Sequence, residues 1–142
     1  MSPFLRRIKR AVLGAPKKMD DRASLHDFWR TPEPDGNVPS GYLGPIHRSR
    51  ALEGLISDVP KTSSILEVGC NIGRNLNHLW SIGYHSLAGI EIRPHAVEQL
   101  RAAHPDLATV PVHLGPAEEQ MPHFSDAQFD LVFTMAVIEH IH

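Results

Sequence analysis

From residue 64 onward the apolar positions alternate between two patterns, short unbroken runs and stretches in which they recur every three or four residues. The runs at 64–68, 86–91, 110–114 and 129–134 predict strands, and the spacing at 73–82 and 94–103 predicts helices. Pro94 suits the first turn of its helix, and a short helix is expected at 117–120. Strands apolar on both faces that alternate with helices imply a parallel sheet joined by crossovers. The expected class is therefore α/β, with helices on both faces of the sheet. Ahead of this region, residues 24–30 predict a brief helix carrying Phe28 and Trp29. Residues 31–45 are a loop rich in Pro and Gly, and helical spacing resumes over 46–57 through Ile46, Leu52, Leu55 and Ile56. Met1 to Lys18 sets Phe4, Leu5, Ile8, Val12 and Leu13 against Arg6, Arg7, Lys9, Arg10 and Lys17. The chain thus divides into a basic amphipathic segment (1–18), leading helices with a Pro/Gly-rich loop (19–60), and the sheet domain (61–142).

The chemistry gathers where strands end. Ile65-Leu66-Glu67-Val68-Gly69-Cys70-Asn71-Ile72-Gly73 is a strand carrying an acid, followed by a glycine turn that opens a helix. Leu87-Ala88-Gly89-Ile90-Glu91-Ile92 repeats a strand that ends in an acid. A dinucleotide site needs G-x-G-x-x-G so that the backbone can approach a pyrophosphate on the helix N-terminus. Here Glu67 occupies the place of the first glycine, and a carboxylate there repels a pyrophosphate but suits a cation. S-adenosylmethionine, with an ammonium, a sulfonium and no phosphate, fits that acid. Gly69 lets the backbone come close to a ligand and Gly73 lets the helix pack tightly on the strand. Glu91 stands where an acid takes two ribose hydroxyls.

At these residues the chain resembles the class I S-adenosylmethionine-dependent methyltransferases, especially those grouped as methyltransferase type 11. The resemblance runs from about Phe28 to the last residue. It includes 65–75, Gly89 to Glu91, His113-Leu114-Gly115-Pro116-Ala117-Glu118-Glu119, and the closing Phe129-Asp130-Leu131-Val132-Phe133-Thr134-Met135-Ala136-Val137-Ile138-Glu139-His140-Ile141. It implies a Rossmann-like methyltransferase fold of which about four strands, the N-terminal half, are present. It also implies roles. Glu67 and the Gly69 backbone would hold the methionine amino group, with Gly73 lining the same end. Glu91 would take the ribose hydroxyls and Ile92 would pack on the adenine face. Ala117 and Glu118 would meet the adenine edge, and Met135 with Ala136 would lie under the methionyl part. Many relatives have Gly-Asp-Ala where this chain has Gly115-Pro116-Ala117. Pro116 has neither an N–H nor a side-chain acceptor, so that contact must shift to Glu118 or be absent. The leading region packs over the pocket as a lid in relatives, which makes Trp29, Tyr42, Arg48 and Arg50 candidate contacts.

Composition narrows the picture. A chain of 142 residues that is 42% hydrophobic is one modest domain. Its net charge of −2 is unevenly spread: residues 1–18 hold six of the fourteen Lys and Arg and no acid, leaving sixteen acids against eight bases beyond them. An acidic domain argues against a nucleic-acid groove. The basic segment is read first as a solvated terminus and second as a foothold on an anionic membrane surface. One cysteine, Cys70, fits a reducing compartment and reads as a compact turn residue. With no apolar run near the ~20 residues that span a bilayer and no secretory signal, a cytoplasmic location is expected.

Methyl transfer is an in-line displacement at an already activated sulfonium, for which a protein supplies proximity and alignment. A base is needed only if the acceptor must lose a proton. Glu139, His140 and His142 are the candidates, and His140 follows Glu as it often does in the family. No metal is expected, since His113, His123, His140 and His142 lack ligand spacing. The acceptor is expected to be a small molecule. The chain stops soon after the fourth strand, which would leave Leu131 to Thr134 as an edge. Truncation is the favoured reading, ahead of a split protein or edge pairing with a second chain. An alternative function is a non-catalytic remnant that binds S-adenosylmethionine or a partner without turnover, and a third is an NAD-dependent oxidoreductase.

Overall fold

The computed structural model describes residues 21–31, 47–135, 137 and 138. The basic segment 1–18, Tyr42, Ile46, Ala136, Glu139, His140, His142 and nearly all of the Pro/Gly loop lie outside the described residues.

Two helices precede the sheet. α1 (Arg22–Arg30) starts at Asp21, whose carboxylate accepts the Ser24 amide at 2.8 Å and so caps one of the unpaired amides of the first turn. α2 (His47–Leu55) follows. Next come β1 (Ile65–Val68), α3 (Arg74–Ser81), β2 (Leu87–Glu91), α4 (Pro94–Ala103), β3 (Val112–Leu114), α5 (Ala117–Gln120) and β4 (Leu131–Thr134). Short 3-10 turns at Pro105–Leu107 and Met121–His123, not foreseen in the sequence, fill the connections.

The four strands form one parallel sheet in the order β3-β2-β1-β4. Every residue of β1 and β2 is buried, as the unbroken apolar runs require of inner strands. β3 and β4 border the sheet among the described residues, and Leu114 and Val132 are 49% and 47% exposed.

Helices cover the two faces unequally. Ile65 and Leu87 share a core with Leu52 and Ile56 from the α2 region, Leu76 and Leu79 of α3, Leu100 of α4, and Leu107. The opposite face, built from Leu66, Val68, Ala88 and Ile90, is met by Ala117 of α5, Phe124, Phe129 and Val137. Among the described residues, three full helices therefore stand on one side. The other side has the four-residue α5 and the loop after it. Within the larger core Tyr84 is buried, and its hydroxyl lies within hydrogen-bond reach of the carbonyls of Val59 (2.9 Å) and Ile56 (3.2 Å), anchoring the end of α2 to the sheet.

Candidate active site

The strand order reverses at β1, which has β2 and β3 on one side and β4 on the other. In a parallel sheet this opens a crevice beyond the carboxyl ends of the strands. A cavity of about 190 Å³, partly open to solvent, occupies that place.

Its floor is the turn between β1 and α3. Gly69, Asn71 and Gly73 all have positive φ (+77°, +50° and +75°). At Gly69 a side chain would overlap Val137 Cγ2, so glycine is required there on both counts. The turn is tied to the end of β2: the amides of Gly69 and Cys70 both donate to the Ile90 carbonyl, at 2.8 and 2.9 Å. The Asn71 amide donates to Glu91 Oε2 at 2.7 Å, and the Arg93 amide donates to Glu91 Oε1 at 3.0 Å. Glu91 therefore braces the glycine turn as well as facing the cavity. Burial raises its pKa above the ordinary carboxylate value, and the two amide contacts oppose that rise.

Glu67 is 2% exposed. Its Oε1 accepts Asn75 Nδ2 at 2.6 Å, and Asn75 Oδ1 in turn accepts the Ser49 hydroxyl at 2.8 Å. This buried chain joins α2, α3 and β1. Glu67 Oε2 is buried with no partner among the described residues. Burial pushes the pKa of Glu67 up to about 8, although the Asn75 hydrogen bond and the nearby Arg74 favour the charged form. Cys70 is buried and packs on Gly89, and burial pushes its thiol well above the ordinary range. That suits a compact turn residue, since burial keeps the thiol from ionising to the nucleophilic thiolate.

One wall comes from Ile92, Gly115, Pro116, Ala117 and Glu118, and the other from Met135 and Val137 beyond β4. α1 closes part of the mouth through two contacts. His26 Nε2 lies 2.7 Å from Glu118 Oε1. Arg93 Nε donates to the Trp29 carbonyl at 2.6 Å, and its guanidinium sits 5.4 Å from the centre of the Trp29 ring. At Glu118 burial pushes the pKa up, but its backbone hydrogen bond and His26 outweigh this and hold it below the ordinary value. Among the described residues no three His, Cys, Asp or Glu side chains come together as a metal site. None of the described helices is long and apolar enough to cross a membrane.

This arrangement can be compared with known proteins. The family model described as a methyltransferase domain matches residues 66–142, more than half of the chain. The chain belongs to the methyltransferase domain family. Its fold is similar to that of magnesium protoporphyrin IX methyltransferase (ChlM) from Synechocystis PCC 6803, solved with bound SAH. The TM-score is 0.59 and the identity 17%, over 85% of this chain and 61% of that one. It is also similar to the SAH-bound Podospora anserina methyltransferase PaMTH1, with a TM-score of 0.55 and 19% identity over 94% of this chain and 58% of that one. A third likeness is to the bifunctional kinase-methyltransferase WbdD, with a TM-score of 0.57 and 23% identity over 68% of this chain and 23% of that one. The chain thus spans less than two thirds of each of these proteins.

Within this methyltransferase domain, Glu67, Gly69, Glu91, Ile92, Ala117, Glu118 and Met135 all line the one cavity. Gly73 does not. A side chain there would meet Leu100 and Leu107 at 2.7 and 3.4 Å, so it serves the packing of α3 on α4 and not the ligand side of the turn. Glu118 reaches the cavity with one carboxylate oxygen already engaged by His26, a claim on it that the expected adenine-edge role did not include. Of the lid candidates, Trp29 and Arg48 line the cavity and Arg50 does not. His26, Asn75 and Arg93 are site residues that the sequence did not single out. Asn75 carries the one available signal, a polar side chain on a helix face otherwise made of Leu76 and Leu79.

Proposed function

We propose that the cavity binds S-adenosylmethionine and that the protein carrying this domain transfers its methyl group to a small-molecule acceptor. The observation that carries this reading is the unpartnered, buried Oε2 of Glu67 beneath the glycine turn. A carboxylate in that position attracts a cation and opposes a phosphate, and a second acid, Glu91, lines the same cavity. In this reading Glu67 and the Gly69 backbone take the ligand's ammonium. Glu91, whose oxygens each keep a lone pair beyond their amide contacts, accepts the ribose hydroxyls. Ile92 and Ala117 flank the adenine, with Glu118 at its edge, and Met135 lies along the methionyl chain.

When bound, S-adenosylmethionine supplies a methyl group on a sulfonium, already activated for displacement. The chain's own part is to fix orientation and exclude water. Glu67 and Glu91 hold the ligand's two ends, while α1, held by His26 and Arg93, shields the mouth. Where the acceptor must lose a proton, we assign that base to His140.

The test is calorimetric titration of the purified protein with S-adenosylhomocysteine, using NAD as the control. Saturable binding of the first alone is the expected result. Binding of NAD, or of neither by folded protein, would overturn the assignment.

A further inference from the structure

We propose that Ser49 and Asn75 are positioning residues for Glu67. In this proposal Ser49, outside the cavity, turns the Asn75 carboxamide so that its nitrogen holds one Glu67 oxygen and leaves the other for a cation. A carboxamide has a donor end and an acceptor end, and the end that meets a carboxylate decides between attraction and repulsion. Three contacts fix that choice here. Asn75 Nδ2 donates to Glu67 Oε1 at 2.6 Å and also lies 3.6 Å from Met135 Sδ, a weak acceptor. At the other end Asn75 Oδ1 accepts the Ser49 hydroxyl at 2.8 Å. Turned over, the amide would set its oxygen against a carboxylate oxygen and a sulfur. Ser49, Asn75 and Glu67 are all buried, so a lost contact leaves a polar atom without a partner.

The two oxygens of Glu67 are thereby given different tasks. Oε1 is taken, while Oε2 is buried with no partner among the described residues. Holding one oxygen stops the carboxylate from turning, so a cation meets an acceptor already in place. Asn75 and Glu67 line the cavity and Ser49 does not, so the Ser49 hydroxyl acts on the site through Asn75. Charge enters as well. Burial favours the protonated form of Glu67, the Asn75 hydrogen bond and Arg74 on α3 favour the charged form, and Glu91 of β2 opposes it. Of the other groups nearby, Cys70 in the glycine turn keeps its thiol neutral and Arg48 of α2 lines the same cavity. All of these stay in place when the Ser49 hydroxyl is removed, which isolates its effect.

The test is the titration of Glu67 in the free protein, followed by the NMR signal of its side-chain carboxyl carbon and assigned by the loss of that signal in Glu67→Gln. Ser49→Ala removes the hydroxyl and keeps a good helix former. The Glu67 midpoint is expected to move to higher pH, because a carboxamide held at one end binds the carboxylate less firmly. Asn75→Ala removes the hydrogen bond itself and is expected to move the midpoint further. Ser49→Ala should add nothing to that shift in the double variant. A role in packing alone would lower stability to urea and leave the midpoint where it is. A second arm rests on the functional reading above. S-adenosylhomocysteine should bind Ser49→Ala about three- to tenfold more weakly at pH 7, the weight of one hydrogen bond. Should wild type bind no S-adenosylhomocysteine, the functional reading fails, and the Glu67 titration still decides the positioning role. Should Asn75→Ala not fold, Asn75→Asp sets a second carboxylate against Glu67 and is expected to raise the midpoint further still. An unmoved Glu67 midpoint in Ser49→Ala, whatever its affinity for the ligand, overturns the proposal.

Discussion

Burial favours the protonated form of Glu67, and a cationic ligand at Oε2 would displace that proton. Raising a carboxyl pKa from 4.5 to about 8 means that charging it costs on the order of 5 kcal/mol more than in water. With a pKa of about 8, roughly 0.9 of the Glu67 side chains carry a proton at pH 7. An ammonium seated at Oε2 stabilises the carboxylate, so binding at pH 7 releases about 0.9 proton per ligand. Affinity should then rise about tenfold per pH unit between pH 6 and 7 and level off near pH 8. At higher pH it falls as the ligand's own amine loses its proton. Calorimetry of S-adenosylhomocysteine binding in two buffers of different protonation enthalpy reads the proton count directly. Methylthioadenosine, which lacks the ammonium, should bind without releasing a proton. Glu67→Gln should abolish the release. The same group sets a stability slope of definite sign. The folded protein keeps the proton to about pH 8 while the unfolded chain releases it near 4.5, so Glu67 makes the fold progressively less stable as pH rises between those values. No proton release, with an affinity flat from pH 6 to 8, would refute the reasoning.

Glu91→Gln can satisfy only one of the two amides that Glu91 now accepts. It should lose about 1–3 kcal/mol of stability for the amide left unpaired, read by urea unfolding, as well as ligand affinity. A loss of affinity with unchanged stability would show that the brace on the turn is unimportant. Gly69→Ala forces a side chain into Val137 at a positive φ, so it should abolish S-adenosylhomocysteine binding in calorimetry. Wild-type affinity would mean that the turn relaxes freely. His26→Ala removes the contact of α1 with Glu118, and hydrogen exchange should quicken across Arg22–Arg30. Unchanged protection would show that the His26–Glu118 contact does not hold the helix.

The sheet and the acids of the site were legible because the signals are local. An inner parallel strand must be apolar on both faces, and an acid at the end of such a strand, as at Glu67 or Glu91, stands out. The start of α4 followed from Pro94, which stands at the first helical position. What was illegible depends on distant meetings. His26 and Glu118 lie 92 residues apart, and nothing near either residue announces the other. Both functions expected of Gly73 were reasonable from the motif. In the fold its bare side faces Leu100 and not the cavity. The unequal cover of the two faces was hidden for a related reason, since spacing tells which side of a helix is apolar but not which face of the sheet receives it.

The pairing pattern also sets an order of assembly. Every contact within the sheet is parallel, so no strand pair forms through a tight hairpin. Ile65 meets Leu87, 22 residues away, on one side and Leu131, 66 residues away, on the other. Closing a longer loop costs more chain entropy, and topologies rich in remote pairings fold slowly. β1 and β2 should therefore meet first, which brings Glu67, Glu91 and the glycine turn together early. Met135 and Val137 arrive with the longest closure within the sheet. On this route the cavity gains its acidic floor before its second wall. A ligand that needs both would bind only to chains that have completed the final step, so its binding could serve as a clock for the end of folding.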